Sequence, residues 1–423
     1  MENIFFPSLP VDGFMRHHPE ISVSKLQVEL AAGKRIIANL QKAGFMNFAY
    51  LIVGSGLTGA VIARMLKDAG HTALVVERRN CVGGNVHDHT HPSGIRIHTY
   101  GPHHFRTNDE RIWQFVNRFA HFYTYEPALK SLVDGEYENW PIAGSYIRRV
   151  VGEPWQPGFK GVPGNFEEAA LAIMPRPIYE KFVKGYTEKQ WGVRASALSA
   201  SLARRFDVHD DDEPRLMRHT YQGIPSDGYA AMLTNLLAGI PVLLNCDYHA
   251  LRAQLSPGRG VIYTGPIDEY FGFDLGRLTY RGLRREHDYL PDVDFALPCG
   301  QVNNPGHDTG PHIRTLEWKR MMPEGLASRI RGTVITRETP YTPEDPDAYE
   351  YPFPDQRNAA LYRAYRARAD AIPDLLVCGR LGEYRYYDMD QAVARAQMLA
   401  GRIIEQGAAG AGLTGQLLNA AGK

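Results

Sequence analysis

The chain has 423 residues, 44% hydrophobic and 11% aromatic, enough for two or three domains with sizeable cores. Its 47 basic residues balance 47 acidic ones, so no global field draws in nucleic acid or an anionic membrane surface, and any anion site is local. Four scattered cysteines with no CxxC, and no apolar run near the roughly 20 residues of a membrane helix, exclude a disulfide scaffold and a spanning segment and point to the cytoplasm.

Residues 1–45 read as an extension: an irregular start, then ISVSKLQVELAAGKRIIANLQKAGF with amphipathic helical spacing. The core is expected to begin at Met46. AYLIVG, a glycine turn, AVIARMLKDAG and TALVVE form a βαβ unit. In GSGLTG, Gly54 permits the tight turn, Gly56 lets backbone approach a pyrophosphate, and Gly59 allows close helix–strand packing. Glu77 ends the second strand, where a carboxylate accepts hydrogen bonds from an adenosine ribose. Gly83 and Gly84, followed by Asn85, offer a second backbone nest in the same region.

Six histidines crowd HDHTHPSGIRIHTYGPHHFRTND. His87, His89 and His91 alternate as metal ligands on one strand face would, but Pro92-Ser93-Gly94 follows at once as a turn, so no metal site is expected. Residues 110–200 carry helical patterns such as DERIWQFVNRFAHF, and residues 200–340 carry short β-rich runs. The end returns to a helix, a strand (DLLVCGR) and a long terminal helix. Between the last two, GRLGEYRYYDMDQ places Asp388 and Asp390 near the helix start. Its two arginines and three tyrosines form a dense anion-recognition set. A second contact from this end of the chain favours FAD, an extended dinucleotide, over NAD.

YGPHHFRTND, GYTEKQWG, YQGIPSDGY, YTGPIDEYF, HIRTLEWK and GRLGEYRYYDMDQ occur in the order of the hallmark segments of the bacterial UDP-galactopyranose mutases, and the chain resembles that family over residues 46–405. The resemblance implies an FAD isomerase that interconverts UDP-galactopyranose and UDP-galactofuranose without net redox change. Its flavin must be reduced, by NAD(P)H or another reductant, and flavin N5 attacks the anomeric carbon. By motif position, Arg205 and Arg314 resemble the diphosphate-binding arginines, and His103 the histidine beside the flavin. Tyr351 and Tyr386 resemble the tyrosines that add hydroxyl donors; Arg380, Asp388 and Met389 fall at flavin contacts. Phe182, Tyr186, Thr187 and Trp191 resemble the nucleotide wall, and Asn139 and Asn304 match polar positions near the sugar and diphosphate.

The implied fold is α/β: a discontinuous FAD-binding Rossmann-type domain (46–110, 229–265, 369–406), an interleaved mainly helical domain (111–198), an antiparallel β-sheet domain (199–228, 266–368) and a flexible tail (407–423). The family's common assembly is a homodimer, and its partner is a nucleotide sugar rather than nucleic acid or membrane. This chain departs from the family at Phe206-Asp207-Val208-His209, Leu216-Met217, Val183 and Arg106. Several of these changes fall on the nucleotide-facing side, so a different nucleotide hexose stays open as substrate. An amine-oxidase-like flavoenzyme and a non-catalytic flavin or nucleotide-sugar sensor share the glycine fingerprint and are the competing readings.

Overall fold

The computed structural model describes residues 4–5, 47–205, 208, 211–216, 218–408 and 413. Tyr50–Val53 and Ala73–Val76 are buried at every position, as strands covered on both faces must be. They lie at the centre of a six-stranded sheet, between Val242–Leu243 on one side and Gly260–Tyr263 and Leu375–Val377 on the other, all parallel. Helices Leu57–Asp68, Tyr229–Leu236 and Met389–Ala408 cover one face through Ile62, Leu233 and Leu399. Helix Gln356–Asp370 covers the other through Tyr365 and Ala369. This is the expected Rossmann-type unit.

A seven-stranded sheet runs Tyr351–Pro352, Tyr280–Leu290, Thr333–Tyr341, Arg314–Glu317, Gln301–Asn303, Leu129–Val133, Glu136–Trp140. Neighbours are antiparallel except Gln301–Asn303 with Leu129–Val133. Its last two strands correct the expected boundaries, because they come from the segment read as mainly helical. Asp134 and Gly135 form their turn with φ of 53° and 84°, the backbone of a tight hairpin that Asp-Gly favours. The helices that follow, from Gly144–Val151 to Gly185–Trp191, enclose a core of their own around Ile147, Phe166, Tyr179 and Phe182. A π-helical turn, Glu180–Lys184, precedes the last of them.

The histidine-rich segment folds around the turn read at Pro92-Ser93-Gly94, while two other expectations, on the extension and the tail, change. His87, His89 and His91 flank and form a small hairpin, Asp88–Thr90 with Arg96–His98, where their rings bond the hydroxyls of Thr99 and Ser93. Ile4–Phe5, in the presumed extension, adds an antiparallel edge strand beside Val242–Leu243. In the presumed flexible tail, Leu413 is buried in the core and its carbonyl accepts from Asp374 N at 3.0 Å. All four cysteines are free thiols. No helix among the described residues is long and apolar enough to cross a membrane.

Candidate active site

Two cavities, of about 310 and 220 Å³, lie on opposite sides of Arg314, Tyr351 and Tyr386, which line both. The larger opens at the carboxyl ends of the central strands, where parallel α/β sheets bind dinucleotides. Gly54, Gly56, Glu77, Gly83, Gly84 and Asn85 line it from the first βαβ unit, and His103, Arg380, Asp388 and Met389 complete its wall from distant segments. Gly59 lies beneath rather than in the wall: a Cβ there would stand 2.1 Å from Gly54 O, so only glycine lets the helix start so close to the strand. Gly84 has φ of 53°, and a Cβ on it would come within 2.9 Å of Gly56 Cα. Helix Leu57–Asp68 has no side-chain cap at its N-terminus, leaving that end suited to a phosphate.

Glu77 is buried; its Oε2 accepts from Ser55 N at 2.8 Å and Ser55 Oγ at 2.7 Å, and its Oε1 accepts from Arg79 N at 3.0 Å. It therefore ties the glycine turn to the second strand, besides facing the cavity. Arg79 lies over the Tyr100 ring at 4.4 Å and donates to Asn85 Oδ1 at 3.1 Å.

The strongest sign of an absent ligand is Arg380. Its Nε and Nη2 are buried without a hydrogen-bond partner among the described residues, while its guanidinium lies 4.4 Å from the Tyr386 ring and 5.0 Å from that of Tyr351. Buried unpaired donors are costly, and a polar ligand satisfies them. The uncapped helix end, the Gly56–Gly84 approach and these free donors fit an extended dinucleotide such as FAD.

His103 and His104 also face this cavity, each with a buried Nδ1 that has no partner among the described residues. Burial, with Arg380 adding to it, pushes His103 down to about 4, and burial with Arg106 pushes His104 down to about 3. Both imidazoles are neutral at pH 7. His98 Nδ1 accepts from His103 N at 2.9 Å, and the Tyr229 hydroxyl donates to His103 O at 3.1 Å, so the backbone around His103 is held from two sides. Arg106 pairs with Asp388 at 3.3 Å.

The smaller cavity is walled by Phe166, Tyr186, Thr187, Gln190, Trp191 and Leu202. Thr187 Oγ1 is buried and has no hydrogen-bond partner among the described residues. Arg314 stands where the cavities meet, its Nε donating to the fully buried Glu338. The structure thus brings Tyr186, Thr187, Trp191, Tyr351, Tyr386 and Arg314 together. It does not bring Phe182, Asn139 or Asn304 to either cavity. Phe182 is core, edge-on to Tyr146 at 5.1 Å. Asn139 accepts from Lys130 Nζ at 2.9 Å, and Asn304 donates to the carbonyls of Thr309 and His312. Arg205 ends the 3-10 helix Ala200–Arg205, and its side chain, like His209 and Met217, lies outside the described residues.

Phe166 and Gln190 were not singled out from sequence. Gln190 had a signal, lying three residues after Thr187 on one helix and so on the same face. Phe166 had none, because the chain returns to the cavity from another helix.

Fold and site together define a protein with a dinucleotide-binding fold and two cavities that share arginine and tyrosine side chains. A family model described as UDP-galactopyranose mutase matches residues 181–386, and a Rossmann-like NAD(P)-binding model matches residues 52–119. The chain is 32% identical over 359 residues to a probable UDP-galactopyranose mutase of Klebsiella pneumoniae, covering 82% of this chain and 92% of that protein. It is 30% identical over 365 residues to a dTDP-fucopyranose mutase of Escherichia coli, covering 82% and 96%. A crystal structure of reduced UDP-galactopyranose mutase superposes with a TM-score of 0.62 at 14% identity, covering 85% of this chain and 94% of that one. The chain belongs to the UDP-galactopyranose mutase family. It is an enzyme of the isomerase class, and the family implies FAD.

Proposed function

We propose that this enzyme interconverts the pyranose and furanose forms of a nucleotide hexose, UDP-galactose in the first instance, on a bound and reduced FAD. The observation that carries the reading is the junction: Arg314, Tyr351 and Tyr386 line both cavities, so a sugar diphosphate in the smaller one reaches the cofactor in the larger. When bound and reduced, the flavin supplies the nucleophile for the anomeric carbon.

The chain's residues then have separate tasks. Arg314, with the tyrosine hydroxyls, holds the diphosphate while its bond to the sugar breaks and re-forms, a task for charge-assisted donors in a site shielded from water. Arg205 adds a second cation by family position. Tyr186, Trp191 and Phe166 offer aromatic faces for the base. Arg380 and the Gly83–Gly84 turn hold the cofactor, and neutral His103 lies beside it without adding charge.

The relatives named for UDP-galactopyranose and dTDP-fucopyranose are nearly equally similar, so the nucleotide is the part of the reading most in need of measurement. The test is to reduce the purified protein with dithionite, and separately with NAD(P)H, and incubate it with UDP-galactofuranose and dTDP-fucofuranose. Conversion of UDP-galactofuranose to its pyranose supports the reading; conversion of only the dTDP sugar moves it to the other nucleotide; no conversion of either removes it. Sizing the same preparation tests the homodimer that family membership favours, and fractionating the source cells tests a cytoplasmic location.

A further inference from the structure

Helix Gly185–Trp191 supplies four walls of the smaller cavity, Tyr186, Thr187, Gln190 and Trp191. The last carbonyls of a helix have no partner within it and carry the negative end of its dipole. Here two of them meet a buried guanidinium. Arg281 Nε donates to Gln190 O at 2.8 Å, Nη2 to Lys189 O at 3.2 Å, and Nη1 to Thr342 Oγ1 at 2.6 Å. Arg281 is only 6% exposed, and these three partners are neutral. Burial lowers its pKa. A planar fork that reaches two successive carbonyls and a hydroxyl is a task lysine cannot copy.

The backbone of Arg281 stands behind the wall that Tyr351 supplies. It lies on strand Tyr280–Leu290, in register with Tyr351 on the next strand, and Tyr351 stands at the junction of the two cavities. One residue therefore joins both sides of the smaller cavity, through its main chain on one side and its side chain on the other. Gly192 seals the contact: it follows the helix with φ of 70°, and a Cβ on it would come within 3.2 Å of the Arg281 guanidinium.

We infer that Arg281 is a positioning residue for substrate: it clamps the helix that walls the nucleotide side to the strand beside Tyr351, and thereby fixes the spacing on which nucleotide affinity depends. The inference rests on the reading of the smaller cavity as the nucleotide-sugar site. Arg281 lines neither cavity, so its effect passes through Gln190 and Trp191. Releasing the helix end leaves the cofactor cavity untouched but lets the nucleotide wall drift away from Arg314. The loss falls on substrate binding more than on the bond-breaking step.

The experiment uses flavin-loaded full-length protein carrying Arg281→Met, Arg281→Lys or the milder Thr342→Val. Flavin per chain, UDP and dTDP affinity by calorimetry, and kcat and KM are measured for each. Arg281→Met should keep its flavin, bind the preferred nucleotide roughly ten-fold more weakly, and raise KM by a similar factor while kcat falls by less. Arg281→Lys should restore part of the affinity, and Thr342→Val should weaken it in the same direction by a smaller factor. Wild-type affinity in all the variants that fold overturns the inference alone. Flavin loss in parallel with nucleotide loss also overturns it, since that marks a residue of the general fold. Wild-type protein that binds neither nucleotide removes the reading of the cavity and this inference with it.

Discussion

Arg314 donates through Nε to Glu338, whose other carboxylate oxygen accepts from Arg285 Nε at 2.8 Å. Arg285 in turn holds Glu350 through both Nη atoms, at 2.9 and 2.8 Å. Burial opposes ionisation of Glu338, but Arg314 and Arg285 outweigh it and hold the carboxyl below its usual range. Two cations and two anions thus form one buried network, and Arg314 is its member at the cavity junction.

Removing Arg314 should cost the diphosphate a charge-assisted contact of about 1.5–3 kcal/mol, a fall in kcat/KM of at least roughly ten-fold. Arg314→Ala should still bind flavin. Pyranose and furanose are separated chromatographically after incubation with reduced protein, and undiminished turnover would remove Arg314 from the substrate site. Glu338→Ala should do more damage to the fold, because it takes from the buried Arg314 its carboxylate partner and leaves Arg285 with Glu350 alone, at a cost of about 3–5 kcal/mol readable as a lowered Tm.

The unpaired Nε and Nη2 of Arg380 make no contribution to the apoprotein that a ligand does not supply. Arg380→Met should therefore leave the Tm of flavin-stripped protein within a few degrees of wild type while weakening FAD binding about ten-fold or more. Fluorescence of released flavin on dilution measures it. Equal flavin retention would sink the assignment.

Gly59→Ala should abolish flavin binding and lower expression, because its Cβ would stand 2.1 Å from Gly54 O, with backbone on both sides of the clash. Gly401→Ala, within the helix Met389–Ala408 and with nothing within 4 Å of the new Cβ, should instead stabilise the protein by about 0.5–1 kcal/mol. Thermal melts of the two variants, differing by one methyl group each, should move in opposite directions.

Asp268 gives a pH dependence of known sign. Its Oδ2 accepts from Leu278 N at 2.9 Å, Oδ1 has no partner among the described residues, and burial raises its pKa to about 6. A carboxyl whose folded pKa exceeds its unfolded value favours the folded state when protonated, so this advantage is present at low pH and fades as pH rises from the unfolded value near 4 to about 6. The neutral histidines act in the reverse sense, since His103 withdraws stability as pH falls from 6.5 toward about 4. The comparison that isolates Asp268 is wild type against Asp268→Asn. Their difference in Tm should shift against wild type between pH 4 and 6 and level off above; a pH-independent difference would contradict the raised pKa.

The dinucleotide unit was legible in the sequence because its determinants are local. A glycine turn between a buried strand and a helix, with an acidic residue ending the next strand, needs only neighbours within one βαβ unit. The hairpin Leu129–Val133 and Glu136–Trp140 was equally local, with Asp134-Gly135 as its mark, but its placement beside Gln301–Asn303 was not. Phe182 shows the limit of motif position: one helix carries the segment, and which aromatic residues face the cavity depends on how the π turn Glu180–Lys184 rotates it.

By itself, then, the sequence determined the cofactor fold, the family and the residues at the cavity junction, because short-range backbone geometry and ordered motifs encode them. Only the tertiary structure decided which residues hold those in place. Arg281 caps a helix more than 90 positions earlier in the chain, and Arg314 meets Glu338 and Arg285 across three neighbouring strands. No local spacing records such contacts: burial makes a lone guanidinium or carboxylate costly, and the partner that offsets the cost is chosen by the packing of sheet and helix, not by nearness along the chain.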